Sequence, residues 1–183
     1  KMMADAPISG VIVGAALTIA STSSLAIILL IVSFATHALI PVEVSYALVL
    51  GANLGSAVMP IMATFSDTPE ARRVPLGNLL FRVVGVVIAL PLLPLIMPEI
   101  ARLQPEDWRQ VLNFHVAFNL GLAILFLPFV GPVARLLQRL LPDGSLRAWH
   151  YVALEVELPR SHRITRCEID DHGGPLGFAI ASP

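Results

Sequence analysis

Charge is what this sequence has least of. Of its 183 residues 14% are charged and 56% hydrophobic, whereas an ordinary soluble domain carries about 25% charged residues. So few charges cannot cover a soluble surface, and they are unevenly placed: between Ile8 and Leu50 the one formal charge is Glu43. Cysteine is nearly absent too. Cys167 stands alone, which excludes an internal disulfide and a zinc site built from cysteines. A net charge of −1 with no basic face gives nucleic acid nothing to bind. The chain begins with Lys1 rather than methionine, and its first apolar stretch lacks a basic n-region and a small-residue cleavage site. That stretch therefore reads as a membrane segment and not a signal peptide, and the numbering is expected to start partway into a longer protein. No nucleophile–base pair, carboxylate dyad or phosphate loop emerges, so neither catalysis nor a cofactor is expected.

What is present is apolar and repeatedly interrupted. The first apolar stretch, about Pro7 to Ala38, is too long for one crossing of a ~30 Å hydrocarbon core, which needs about 20 residues. Ser21-Thr22-Ser23-Ser24, preceded by Thr18, sits in its middle, and two half-helices broken there fit better than one span. A second segment, Glu43 to Phe65, is expected to be interrupted by Gly51-Ala52-Asn53-Leu54-Gly55-Ser56 and by Pro60. A third runs from Pro75 to Met97, entered through Arg72-Arg73 and closed by Pro91, Pro94 and Pro98. A fourth runs from Trp108 to Val130, ending at Pro128 and Pro132. Val133 to Leu140 has the spacing of an interfacial amphipathic helix. From Pro142 onward the chain turns polar; the alternation of Val152, Leu154, Val156 and Leu158 hints at one strand, and the rest receives no firm structure. Arg72, Arg73, Arg135, Arg139 and Arg147 fall on one face and the loop of Arg102, Glu106 and Asp107 on the other, which places the first face in the cytoplasm by the positive-inside rule.

Non-helical backbone at membrane depth is tolerated where it is buried in protein or lines a wet cavity, so the break at Thr22, Ser23 and Ser24 points to a site. Hydroxyls and freed carbonyls suit a partly dehydrated sodium ion, and N–H groups at a half-helix start suit an oxyanion. The alternative is back-bonding and helix packing. Around Asn53 and Ser56 the glycines alone permit close helix approach, but a buried amide needs partners. His115 and Asn119, four apart, share a helical face; they serve an inter-helix hydrogen bond or a proton-sensitive role. No further His or carboxylate sits at ligand spacing, so no metal site beyond sodium is expected. Arg82, inside an apolar span, either holds a phosphate through paired N–H donors or snorkels to the interface.

Together these motifs resemble the type II group of the sodium/phosphate cotransporter family. Members carry two inverted repeats, each with a Gln-Ser-Ser-Ser-Ala stretch at a broken helix and a later Gly-Ala-Asn-Ile-Gly-Thr-Thr stretch. Thr22-Ser23-Ser24-Leu25-Ala26 falls where the first belongs and Gly51-Ala52-Asn53-Leu54-Gly55-Ser56-Ala57 where the second does. The segments Arg72 to Arg82, Asn113-Phe114-His115 and Phe118-Asn119-Leu120 look like the family's second repeat. The resemblance covers about Pro7 to Leu141. Two departures stand out: the family glutamine is Thr22 here and its third serine Leu25, and the second motif ends in Ser56-Ala57.

The resemblance implies an all-α membrane fold: a broken or re-entrant helix followed by about three transmembrane helices, one half of an inverted-repeat transporter. Residues 1–141 would be the transmembrane region and 142–183 a polar, poorly structured tail. The implied activity is sodium-coupled symport of inorganic phosphate across the inner membrane by a multi-pass protein. A missing first repeat or a second copy would complete the site. Thr22, Ser23, Ser24, Asn53, Ser56 and Arg82 would bind substrate or sodium, with His115 and Asn119 as structural polar groups and membrane lipid as surroundings. The rival from another class is a non-transporting membrane module, structural or regulatory, which the changes at Thr22 and Leu25 favour.

Overall fold

The computed structural model describes residues 6–142, 163–169 and 175–181. It divides into two compact units between Ser145 and Leu146. In the first, the overlong apolar stretch is split as expected, into α1 (Ala6–Ser21) and α2 (Ser24–Thr36). Then come α3 (Val42–Ala63), α4 (Pro69–Leu103) and α5 (Asp107–Phe126). A 3-10 turn at Leu127–Phe129, where Pro128 withholds an N–H, leads into α6 (Val130–Leu140).

Helix directions follow from which residues meet. A Cβ placed on Gly14 would run into the carbonyl oxygen of Leu48, and one on Gly51 into that of Val11. Gly10 faces Ala47 and Gly55 faces Ala15, so positions rise together and α1 lies parallel to α3, backbone against backbone. Tyr46 meets Gln110 and Phe114, while Asn53 meets His115 and Asn119; α5 therefore also runs parallel to α3. Since the tip of α1 lies beside Ser56 and Met59 and α3 starts again at the level of Gly10, α2 must run back. Its 13 residues rise ~20 Å, enough for that return. The pair is thus a re-entrant hairpin, each arm shorter than the ~20 residues a crossing needs. Leu39 N–H bonds to Phe34 O at 2.9 Å with Ala38 at φ 51, a left-handed cap that stops α2 and lets the chain turn into α3.

The core lies where the hairpin meets α3 and α5. Ile27, Ile28, Ile31 and Ala35 form the buried stripe of α2, packed with Tyr46, Val49 and Leu50 of α3 and Val111, Phe114 and Phe118 of α5. Outward faces are apolar as well: Val87, Leu95, Leu120 and Ile124 are each more than half exposed. Such surface suits hydrocarbon rather than water. The first unit is an all-α membrane protein with three helices long and apolar enough to cross a bilayer: α3, α4, and α5 continuing into α6.

Two expectations are corrected. The second segment is not interrupted at Gly51–Ser56: α3 is one helix from Val42 to Ala63 with Pro60 inside it. The glycines there seat α1, and close packing offsets their weak helix propensity of ~1 kcal/mol each. Nor is the third segment bounded by its prolines. α4 runs from Pro69 to Leu103 with Pro75, Pro91, Pro94 and Pro98 inside. Away from water the backbone keeps its helical bonds where it can, so proline bends rather than ends the helix. Val133 to Leu140 is helical as expected and lies within α6, whose Leu137 packs near Gly77 while Leu141 O accepts from Arg73 Nε at 3.0 Å.

In the second unit β1 (Arg163–Ile169) pairs antiparallel with β2 (Pro175–Ala181), placing Cys167 opposite Phe178. No firm structure was expected there. The strand expected over 152–158 lies outside the described residues.

Candidate functional site

Two polar clusters meet at α3. The first is the tip of the hairpin. Thr22 takes φ 57, a left-handed conformation that is uncommon for a β-branched residue. Ser23 then caps α2, its Oγ accepting from Ala26 N–H at 3.3 Å. Ser21 Oγ accepts from Ser23 N–H at 3.4 Å and lies 3.3 Å from Thr18 O and 3.2 Å from Ser23 O, to which it donates. The hydroxyl run thus replaces the backbone bonds that the break removes. A cavity of about 560 Å³ opens here, lined by Thr18, Thr22, Ser23, Ser24, Leu25, Ser56, Met59, Pro60 and Ala63. Thr18 is fully buried, and its Oγ1 has no hydrogen-bond partner. Among the described residues it is the sole buried side-chain polar atom left so.

The second cluster centres on Asn53, the twelfth residue of the 22 in α3. A helix of that length spans ~33 Å, so Asn53 sits near mid-membrane. Its Oδ1 accepts from Arg82 Nη1 at 2.9 Å and from Asn119 Nδ2 at 2.9 Å. Its Nδ2 donates to Val49 O at 2.9 Å and faces His115 Nδ1 at 3.2 Å. Arginine can only donate and a carbonyl only accept, so the amide orientation is fixed from both sides. An N–H then points at His115 Nδ1, which must accept, placing the ring proton on Nε2. Arg82 Nη1 also donates to Asn53 O at 3.1 Å, and Ser56 Oγ donates to the same carbonyl at 2.7 Å. Ser56 lines the hydroxyl cavity as well, which links the clusters.

Every residue singled out in the sequence falls into one of these groups. Thr22, Ser23, Ser24 and Ser56 gather at the tip, while Asn53, Arg82, His115 and Asn119 form one network. Arg82 turns inward to Asn53 instead of snorkelling, and His115 and Asn119 make the inter-helix bonds. Sequence reasoning undervalued two residues. Thr18 lies four before Thr22, and Asn78 lies four before Arg82, with Arg82 Nε 3.4 Å from its Oδ1. That same-face spacing was the available signal. Among the described residues no group of three His, Cys, Asp or Glu side chains is placed to hold a metal.

A family model described as Na+/Pi-cotransporter matches residues 1–127, which takes in α1 to α5 and both clusters. The chain belongs to the Na+/Pi-cotransporter family. It is 38% identical over 132 residues to a protein of Escherichia coli (strain K12) named "Putative inorganic phosphate export protein YjbB", covering 72% of this chain and 24% of that protein. The Salmonella typhimurium protein of the same name is 36% identical over 132 residues, with the same shares covered. YqeW of Bacillus subtilis (strain 168), named as an uncharacterized protein, is 30% identical over 138 residues, covering 75% of this chain and 45% of its own length. The chain thus spans about a quarter of the YjbB relatives and under half of YqeW. No solved structure matches significantly.

Proposed function

We propose that this chain supplies one half of a sodium-coupled carrier of inorganic phosphate in the inner membrane, completed by a second repeat or a second copy. The carrying observation is the hairpin tip. Two half-helices end at one hydroxyl-lined cavity, where Thr18 is buried without a partner. The end of α1 brings carbonyls and the start of α2 brings N–H groups, a pairing that suits a cation and an oxyanion together. Ser23 and Ser24 are the leading ligands, with Thr22 and Ser56 beside them. Asn53 bridges this turn to Arg82.

Sodium at neutral oxygens would offset phosphate charge, and rocking of the hairpin side against its partner half would alternate access. Family membership supports phosphate as cargo. The name of the YjbB relatives points to export, so the direction of net flux belongs in the test. Radiolabelled phosphate movement is measured in proteoliposomes with inward, outward and no sodium gradient. Flux that follows the sodium gradient supports the reading. A folded, inserted protein that moves no phosphate under any gradient would mean that this half is insufficient alone and would favour the non-transporting module or a simple fragment.

A further inference from the structure

Arg82 stands in α4 with its guanidinium reaching Asn53, near mid-membrane. Its Nη1 is engaged by Asn53 O and Oδ1, and its Nε makes one long contact, 3.4 Å, with Asn78 Oδ1. No Asp or Glu among the described residues pairs with it, although Arg102 and Arg109 each have an acid partner. Among the described residues its second terminal nitrogen, Nη2, makes no hydrogen bond. A charge held at membrane depth without a counter-charge is costly, and such groups normally pair or serve a ligand.

The surroundings supply room for that ligand. A cavity of about 290 Å³ lies between α4 and α5, with Asn78, Arg82 and Asn119 as its polar lining and Phe81, Leu122 and Phe126 among its apolar walls. The Asn78 oxygen faces Arg82, leaving its amide N–H groups for an acceptor. The cavity shares Asn78, Phe81 and Val130 with a neighbouring one of about 420 Å³ that reaches Glu70, Arg73 and Gln138 between α4 and α6. The two adjoin along α4, from the level of Arg73 to Arg82.

We infer that Arg82 and Asn78 form an oxyanion site, separate from the hydroxyl turn, that takes a phosphate group arriving along the α4–α5–α6 crevice. Planar N–H donors of arginine suit phosphate oxygens, and the crevice provides the missing counter-charge as ligand. The same chemistry fits free inorganic phosphate or the phosphodiester of an anionic lipid. The inference leans on the transport reading only in naming phosphate; binding needs no flux.

The test is ligand-dependent thermal stabilisation of the purified protein in detergent and sodium-free buffer, which leaves the sodium-coupled hydroxyl turn unloaded, with inorganic phosphate, a short-chain phosphatidylglycerol or a short-chain phosphatidylcholine. Wild type, Arg82→Gln, Asn78→Asp and Arg139→Gln are compared. Asn78→Asp nearly preserves shape and hands Arg82 an internal carboxylate, so the site is filled from within even if Arg82→Gln folds poorly. We expect saturable stabilisation of wild type and Arg139→Gln by phosphate or phosphatidylglycerol, but not by phosphatidylcholine. Apparent affinity should fall about tenfold or more in Asn78→Asp. Phosphate acting alone names the free ion, and phosphatidylglycerol acting alone names a lipid headgroup; either supports the site. Stabilisation that survives in Asn78→Asp, that vanishes in Arg139→Gln, or that is absent from folded wild type overturns it. Sodium-driven flux lost while this binding persists would instead fault the transport reading alone.

Discussion

Asn53 uses all four hydrogen-bonding positions of its amide, two on oxygen and two on nitrogen, toward α3, α4 and α5. Nothing about an isolated asparagine in an apolar run reveals such saturation; the sequence shows only that a buried amide needs partners. Which partners it finds depends on helix directions that no local pattern encodes. Replacing Asn53 by Ala should lower stability by about 3 kcal/mol, because Arg82, His115 and Asn119 all lose a partner in a low-dielectric setting. Asn53→Asp should cost less, since it keeps the acceptor for Arg82 and Asn119. Thermal unfolding in detergent distinguishes the two. Thr22 allows a second prediction at this scale. Its left-handed backbone costs roughly 1–2 kcal/mol for a residue with a Cβ, so Thr22→Gly should raise the unfolding temperature while Thr22→Val should not. A lower unfolding temperature in the glycine variant would mean that its hydroxyl matters more to the fold than its strain.

Among the elements, the hairpin was legible and α3 was not, for one physical reason. Both stretches carry small or polar residues inside an apolar run, and the sequence marks weak helix without saying what the weakness serves. At Ser21 to Ser24 four successive polar side chains can replace lost backbone bonds, so a break is sustainable. At Gly51 and Gly55 no such side chains replace the backbone; the missing Cβ atoms instead admit α1 at contact distance. The prolines of α4 misled in the same way, since proline reads as a stop in water and as a bend inside a bilayer. Gly51→Val should push α1 from α3 and lower stability by about 1–3 kcal/mol, read as a fall in unfolding temperature. Gly131→Ala, with open space around Gly131, should leave it nearly unchanged.

For the whole molecule, the parallel run of α1, α3 and α5 puts Glu43, Glu106 and Asp107 at one end of the first unit. Arg72, Arg73, Arg135 and Arg139 gather at the other. With four arginines there against Arg102 and Arg109 at the acidic end, the positive-inside rule predicts that the arginine-rich end faces the cytoplasm and that the hairpin enters from the opposite side. In a Cys167→Ser background, a cysteine at Asp67 should be labelled by a membrane-impermeant maleimide only after the cytoplasmic side is opened. A cysteine at Glu106 should be labelled in intact cells; the reverse pattern would invert the topology. The central claim of the proposed function is that the hydroxyl turn of the hairpin binds the transported phosphate and its sodium. Its most direct test is sodium-driven flux of radiolabelled phosphate in proteoliposomes, comparing wild type, Ser23→Ala/Ser24→Ala and Arg139→Gln, all inserted to equal density. Flux lost in the double variant and kept in Arg139→Gln is the predicted result; flux equal to wild type in the double variant would contradict the claim.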